Sequence, residues 1–419
     1  MAELFDNSQV KERVVLVGLD LPGQMDAQAS LDELEALAET AGAEAVGRVT
    51  QRLDRVNPAT YVGSGKISEI SLMIAATDAT GIICDDELSP AQMANLEDAL
   101  QIKVMDRTLL ILDIFAAHAS TREGSIQVEL AQLRYRATRL VGMRRSLSRL
   151  GGGIGTRGPG EKKLEMDRRL IRERISRLKE DLRGVEKHRD VTRRARQRNK
   201  VPVAVIVGYT NAGKSTLLNH LTDARVLEED KLFATLDPTT RSLVLADGQE
   251  VLLTDTVGFI HKLPHHLVEA FRSTLEEAKY ADILIHVVDA SSPQARMQMF
   301  VVYETLQQLG VAGKPLITVY NKMDQVTDPD WQDDLRDSEA RAMVAASVKN
   351  GRGLDQLKEE IEKILQDDKI LIERVFDYAH AGEIAVIRKY GQLLEEEYRE
   401  NGIYVRARVP REVYARISF

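Results

Sequence analysis

Seven residues, Val201-Pro202-Val203-Ala204-Val205-Ile206-Val207, form an almost unbroken apolar run that ends on Gly208-Tyr209-Thr210-Asn211-Ala212-Gly213-Lys214-Ser215. Such a run reads as a strand covered on both faces, the kind found in parallel sheets. The octapeptide has the spacing G-x-x-x-x-G-K-S and leads into Thr216-Leu217-Leu218-Asn219-His220-Leu221, which can open a helix. Strand, glycine loop and helix N-terminus together make a cradle for phosphate. The glycines let backbone N–H groups approach phosphate oxygens and the helix adds its positive end. Lys214 then reaches the β and γ phosphates, and the Ser215 hydroxyl faces Mg²⁺.

Three further elements follow in a fixed order. The apolar strand 251–253 ends at Asp255-Thr256-Val257-Gly258. Asp255 then stands at the carboxyl edge of the sheet, where it holds Mg²⁺ through water, while the Gly258 amide meets the γ phosphate. Phe233-Ala234-Thr235-Leu236-Asp237 lies between these elements as a switch loop, with the Thr235 hydroxyl offered to Mg²⁺; Thr239 and Thr240 compete for that role. Asn321-Lys322-Met323-Asp324 follows the strand 316–320 and selects the base. Guanine presents two adjacent donors to the carboxylate of Asp324, whereas adenine has an acceptor at the corresponding ring nitrogen, so the wrong base leaves polar groups unpaired. Asn321 ties this loop to the phosphate loop, and Ser347-Val348-Lys349 backs the guanine.

The residue after Asp-x-x-Gly is Phe259, which cannot orient an attacking water. Slow intrinsic GTP hydrolysis, accelerated by a partner that fixes the switches, is therefore expected. Thr256, His261 and His265 are the nearest polar groups, and both histidines read as solvated loop residues.

Length and pattern set the frame around this site. A chain of 419 residues exceeds a single ordinary core. Four regions are expected: 1–125 as an α/β domain, 126–200 as a helical hairpin, 201–366 around the nucleotide loop and 367–419 as a small α+β domain with a strand at 403–409. In the first region strand patterns at 14–19, 46–50 and 81–85 alternate with helical ones at 31–41 and 91–100. Cys84 reads as a buried small hydrophobe. Tyr61-Val62-Gly63-Ser64-Gly65-Lys66 reads as a tight turn; the alternative is a second nucleotide site serving an RNA-remodelling ATPase or GTPase. Ile126, Leu130, Leu133, Ala137 and Leu140, and again Ile171, Ile175, Leu178, Leu182 and Val185, recur at helical spacing. Between the two series lies Gly151-Gly152-Gly153-Ile154-Gly155-Thr156-Arg157-Gly158-Pro159-Gly160, which breaks the helix. An antiparallel hairpin follows, with its seams packed together and its arginines on outer faces.

The net charge of −8 conceals an asymmetry: residues 131–200 carry +15 and the remainder −23. A basic hairpin of this kind suits an RNA backbone. No secretion signal, no membrane-spanning run and a single cysteine point to the cytoplasm. No large self-complementary surface is legible, so a monomer is expected.

The glycine-rich tip followed by Glu161 and Asp167-Arg168-Arg169, the phosphate loop 208–215, the switch 233–239 and the segment 255–259 together resemble the HflX family of bacterial GTPases. The resemblance spans nearly the whole chain, loosely over the last fifty residues. It implies a Ras-like P-loop G domain with a mixed, mostly parallel sheet, joined to an α/β N-terminal domain, a helical hairpin and a small α+β C-terminal domain. It further implies association with the large ribosomal subunit and its rRNA through hairpin and N-terminal domain, hydrolysis stimulated by ribosomes, and splitting or rescue of stalled ribosomes or a part in their biogenesis. Carried over residue by residue, it selects Ser215 and Thr235 as magnesium ligands, with Lys214, Thr235, Asp255 and Gly258 coupling the γ phosphate to the switches.

Overall fold

The computed structural model describes residues 11–23, 25–147, 159–199, 201–222, 232–264, 277–311, 313–328, 330–367, 369–415 and 417. Two compact units are distinguished. The first comprises residues 1–189 with 227–237 and 257–275; the second comprises 190–226, 238–256 and 276–419.

In the first unit, four strands form a parallel sheet in the order β2-β1-β3-β4: β1 (Arg13–Asp20), β2 (Glu44–Arg52), β3 (Gly81–Cys84) and β4 (Lys103–Asp106). Six of the eight residues of β1 are buried, as both faces of a parallel sheet require. Val15, Val17 and Leu19 alternate into one core with Ile82, Cys84, Val104 and Leu96. Helices α1 (Ala27–Thr40), α2 (Ser64–Thr77), α3 (Pro90–Leu100) and α4 (Arg107–His118) connect and cover the strands. Local chemistry starts three of these four helices. Asp26 caps α1, Asp106 caps α4, and Ser89 with Gln92 forms a reciprocal capping box ahead of α3, whose first residue is Pro90.

The strand and helix patterns at 14–19, 31–41, 46–50, 81–85 and 91–100 fall on β1, α1, β2, β3 and α3. The short strand β4 and the helices α2 and α4 had no separate signal. Instead of a turn through Lys66, the segment at Tyr61 enters α2 at Ser64, after a tight reversal from Asn57 to Tyr61. Cys84 is buried in β3.

Two long helices follow, α5 (Arg122–Leu147) and α6 (Pro159–Asn199), the first unit taking in α5 and α6 as far as Arg189. Their seams meet: Ile126, Leu130 and Leu178 form a buried cluster against Leu133, Ile175 and Leu182, and Arg174 pairs with Glu129. The glycine-rich tip lies outside the described residues except for Pro159 and Gly160. One arginine departs from the expected outward orientation. The side chain of Arg139 is only 14% exposed and pairs with the buried carboxylate of Asp106, 2.6 Å away.

In the second unit a six-stranded sheet has the order β10-β9-β8-β5-β7-β6. Its strands are β5 (Val203–Gly208), β6 (Thr239–Val244), β7 (Glu250–Asp255), β8 (Ile283–Asp289), β9 (Leu316–Asn321) and β10 (Ala342–Ala345). All pairings are parallel except β6 with β7. Helices α7 (Lys214–Thr222), α8 (Ala295–Gln308), α9 (Trp331–Asp334) and α10 (Leu354–Asp367) belong to the same unit, with α7, α8 and α10 packed on the sheet. This is the mixed, mostly parallel sheet that the family resemblance implied, with the apolar run 201–207 falling on its buried strand β5.

The chain ends in an antiparallel sheet of order β11-β13-β12, formed by β11 (Lys369–Phe376), β12 (Gln392–Arg399) and β13 (Gly402–Pro410). The strand pattern at 403–409 lies within β13. Ile372, Phe376, Ile403, Val405, Ala407 and Val409 pack beneath α11 (Ala381–Tyr390), with α12 (Arg411–Tyr414) beside them. Among the described residues, no helix is long and apolar enough to cross a membrane.

Candidate functional site

The phosphate loop sits where the topology favours a ligand, at the carboxyl ends of parallel strands. β5 delivers Gly208 beside Val287 of β8, and Ile206 pairs with Asp255 at the end of β7. At Gly208 a side chain is impossible, because a Cβ would stand 2.3 Å from the Val287 carbonyl oxygen. Gly213 combines φ +97° with a Cβ position 2.3 Å from Asn321 Nδ2, so the close approach of the two loops itself demands glycine.

Lys214 opens α7 and is buried. Its ammonium donates to the Tyr209 carbonyl at 2.6 Å. Burial pushes it down to about 8, with the nearby Asp255 carboxylate pulling it back up. A cation held in this way favours an anion beside it. The Thr210 hydroxyl in the same loop is buried with no hydrogen-bond partner among the described residues. The Ser215 hydroxyl donates to Asp255 Oδ2 at 2.7 Å.

The segments expected to select the base are joined by one side chain. Asn321 Nδ2 donates to the Ala212 carbonyl at 2.8 Å, while its Oδ1 accepts the Val348 amide at 3.0 Å. The phosphate loop, the segment 321–324 and the segment 347–349 are thereby fastened together. Ser347 donates its hydroxyl to Asp324 Oδ1 at 2.5 Å, and this bond is the chief reason that the exposed Asp324 carboxyl lies below its usual range. Lys322 takes a left-handed conformation, φ 61°, and pairs with Asp289 at 2.7 Å. That pair carried no sequence signal, since Asp289 simply ends β8.

Thr235, with Phe233, Ala234, Leu236, Asp237, Val257 and Gly258, belongs to the first unit. There Phe233 meets Phe115 edge to face, with ring centroids 4.7 Å apart. Asp237 does not present its carboxylate as an open ligand. Its Oδ2 accepts the Ser120 amide at 2.9 Å, the Ser120 hydroxyl at 2.8 Å and the Thr121 amide at 2.8 Å, and its Oδ1 accepts the Thr121 hydroxyl at 2.5 Å. A carboxylate at the head of α5 satisfies helix-terminal donors, a stronger demand on it than the loop position in the sequence revealed.

Two of the polar groups named near Phe259 also differ from expectation. The Thr256 hydroxyl is buried and donates to the Ile206 carbonyl at 2.8 Å, so it braces the strands instead of facing a water. His261 is half-buried, not solvated, and burial pushes it down to about 4, with help from Arg107 and Lys262. His265 lies outside the described residues. Lys262, φ 54°, pairs with Asp85 at 2.5 Å and Asp86 at 2.7 Å; Asp85 also holds Arg107 at 2.8 Å and the Ser30 hydroxyl at 2.6 Å. Burial alone would raise Asp85, but Arg107 and Lys262 hold it below the usual carboxylate range.

At the segment 61–66 three of the groups that a phosphate site would use are already engaged. The Gly63 amide donates to Gln51 Oε1 at 2.9 Å, Tyr61 donates to Asp86 at 2.6 Å, and Lys66 pairs with Glu69 at 2.7 Å.

Comparison with known proteins gives the family of the chain. Three family models match in succession: GTP-binding GTPase N-terminal over residues 28–116, GTP-binding GTPase Middle Region over 118–196 and 50S ribosome-binding GTPase over 203–322. The chain is 62% identical to GTPase HflX of Lacrimispora saccharolytica, covering 100% of this chain and 98% of the relative. It is 50% identical to GTPase HflX of Caldanaerobacter subterraneus subsp. tengcongensis, covering 97% and 93%. A solved structure, a GTP-binding protein from Sulfolobus solfataricus in complex with GDP, matches with TM-score 0.46 and 24% identity over 84% of this chain and 98% of that one. With relatives 62% and 50% identical over nearly its full length, and three matching family models, the chain belongs to the HflX family of GTPases.

Proposed function

We propose that this GTPase couples hydrolysis of GTP to its grip on the large ribosomal subunit and thereby splits or rescues stalled ribosomes, or acts in their assembly. The observation that carries the nucleotide assignment is Asn321, whose two bonds hold the phosphate loop and both base-selecting segments in one construction. The ribosomal assignment rests on the 50S ribosome-binding GTPase model over 203–322 and on the +15 carried by residues 131–200.

In the proposed site, amides of the residues from Gly208 to Thr216 surround the phosphates, and Lys214 neutralises the β and γ oxygens. Water adds to the γ phosphorus as the bond to the leaving GDP oxygen breaks, and Lys214 stabilises the charge that GDP takes away. Asn321, Lys322, Met323 and Asp324, with Ser347, Val348 and Lys349, hold the guanine; Asp324 accepts from its N1–H and its amino group. Phe233, Ala234, Thr235, Leu236, Asp237, Val257 and Gly258 form the switches, with Thr235 and Gly258 sensing the γ phosphate and Asp237 acting through its hold on the head of α5. Because Phe259 is apolar and the Thr256 hydroxyl is committed to Ile206, ordering of the water falls to a partner.

The donor set fits Mg²⁺. Ser215 Oγ in the first turn of α7 and Asp255 Oδ2 at the end of β7 are hard oxygen donors 2.7 Å apart. Among the described residues no cluster of three or more His, Cys, Asp or Glu could hold an ion alone, as suits a metal that takes most of its ligands from phosphate and water. Ser215 and Thr235 would ligate it directly and Asp255 through water; when bound, the ion neutralises phosphate charge.

In this reading the chain is cytoplasmic and a monomer when free, with boundaries at 125, 200 and 366 between N-terminal domain, hairpin, G domain and C-terminal domain. The test is GTP hydrolysis by the purified protein with and without isolated large subunits at several salt concentrations. Strong stimulation that falls with salt is expected. Equal rates in both conditions would remove the ribosome from the scheme.

A further inference from the structure

Asp106 ends β4 and is completely buried, yet it serves four partners. Its Oδ1 accepts the Leu109 amide at 2.9 Å, capping α4, and the Tyr135 hydroxyl at 2.8 Å. Its Oδ2 accepts the Leu88 amide at 3.0 Å and Arg139 Nη2 at 2.6 Å. Arg139 also donates to the Leu88 carbonyl at 3.1 Å, and its guanidinium lies 3.1 Å from the centroid of the Tyr135 ring. Two side chains one helical turn apart on α5 are thus drawn onto a single carboxylate of the sheet. A buried charge with both oxygens doubly satisfied is a rigid joint, because moving any partner leaves an uncompensated charge in the interior.

Arg139 is one of six arginines between Ala131 and Leu150 whose charge invites assignment to an RNA contact. Here it points inward.

We propose that Asp106, Tyr135 and Arg139 are positioning residues that fix the angle of the basic hairpin to the four-stranded sheet, so that sheet and hairpin meet the ribosomal partner as one rigid lever. This rests on the ribosomal docking proposed above. The lever makes the joint matter. From Tyr135 to the end of α5 is about 18 Å of helix, so about 10° of play at the joint moves that end by about 3 Å, as much as a hydrogen bond is long. The joint shares no residue with the nucleotide site, so its loss leaves the basal reaction alone.

The test uses the full chain with Asp106→Asn and, separately, Tyr135→Phe, which removes one hydrogen bond and keeps the fold if Asp106→Asn does not. Spin labels on Leu72→Cys in α2 and Leu170→Cys in α6, sites 73% and 58% exposed, report the angle between sheet and hairpin. Cys84 is buried, and its thiol is pushed well above its ordinary range, so it stays unlabelled. In both variants the label-to-label distance distribution should broaden. The concentration of large subunits giving half-maximal stimulation should rise about tenfold, equivalent to about 1.4 kcal/mol, while basal kcat and KM for GTP stay within about twofold. Unchanged distance distributions in both variants overturn the joint, and broadened distributions with unchanged half-saturation overturn its role in docking. A further variant, Arg139→Gln, that weakens stimulation without broadening the distribution would make Arg139 a direct partner contact and also overturn the proposal. If the unsubstituted protein is not stimulated at all, the ribosomal reading fails, and the labels alone then decide whether the joint exists.

Discussion

Asn321→Ala isolates the construction on which the proposed guanine recognition depends. The substitution removes the donor to the Ala212 carbonyl and the acceptor of the Val348 amide, and both Ala212 and Val348 are completely buried. Water cannot replace the lost partners, so each orphaned backbone group costs about 1–3 kcal/mol, roughly 2–6 kcal/mol together. Part of that loss appears in the stability of the free protein. The rest appears in affinity, because GDP must then order both loops itself. Dividing the cost evenly, about 1–3 kcal/mol falls on binding, a rise in Kd of between about fivefold and about 150-fold. Titration calorimetry with GDP, together with urea unfolding of the nucleotide-free protein, measures both parts. Gly213→Ala should reproduce the loss by a second route, since its Cβ would press on Asn321 Nδ2 from 2.3 Å. A GDP affinity within about twofold of the parent, with an unchanged unfolding midpoint, would refute the idea that Asn321 fastens the loops.

Lys214, pushed down to about 8 by burial, gives nucleotide binding a pH dependence of definite sign. The phosphates hold its proton in the complex, whereas the free protein releases it as pH rises through about 8; GDP should therefore bind more weakly from pH 7 to 9, and Lys214→Arg should flatten that trend. Asp324→Asn replaces an acceptor-only group with one that also donates, so GTP affinity should fall and xanthosine triphosphate affinity rise; unaltered preference in competition binding would remove Asp324 from base recognition. His286, buried in β8 against the ring of Tyr303, is pushed down to about 4 by desolvation. Its folded value lies below the unfolded one, so it contributes stability that is present above about pH 6.5 and lost as pH falls toward 4. Its imidazole NMR signals should not titrate between pH 5 and 7, and His286→Gln should reduce the acid sensitivity of unfolding.

The motif from Gly208 to Ser215, the run 201–207 before it and the order of the later motifs determined the α/β sheet, because a phosphate loop needs a buried strand behind it and a helix ahead. The seams at Ile126, Leu130, Ile175 and Leu178 likewise determined two long helices that meet. These signals are local: period, glycine geometry and chain order are all written within a few tens of residues. The short strand β4 and the helices α2 and α4 lacked such periodicity, and their places are set by the sheet they complete.

What only tertiary structure decided is which polar group meets which. In the sequence Asp237 is a switch residue, Thr256 a hydroxyl near a catalytic loop, His261 a solvated histidine and Arg139 one charge in a basic arm. In the fold Asp237 satisfies the head of α5, Thr256 braces β5, His261 is desolvated and neutral at pH 7, and Arg139 is drawn onto Asp106. The physical reason is the same each time. A buried donor or acceptor must be satisfied by whatever lies beside it in space, and in these cases the partner is 33 to 117 residues away in the chain or is the removal of water itself.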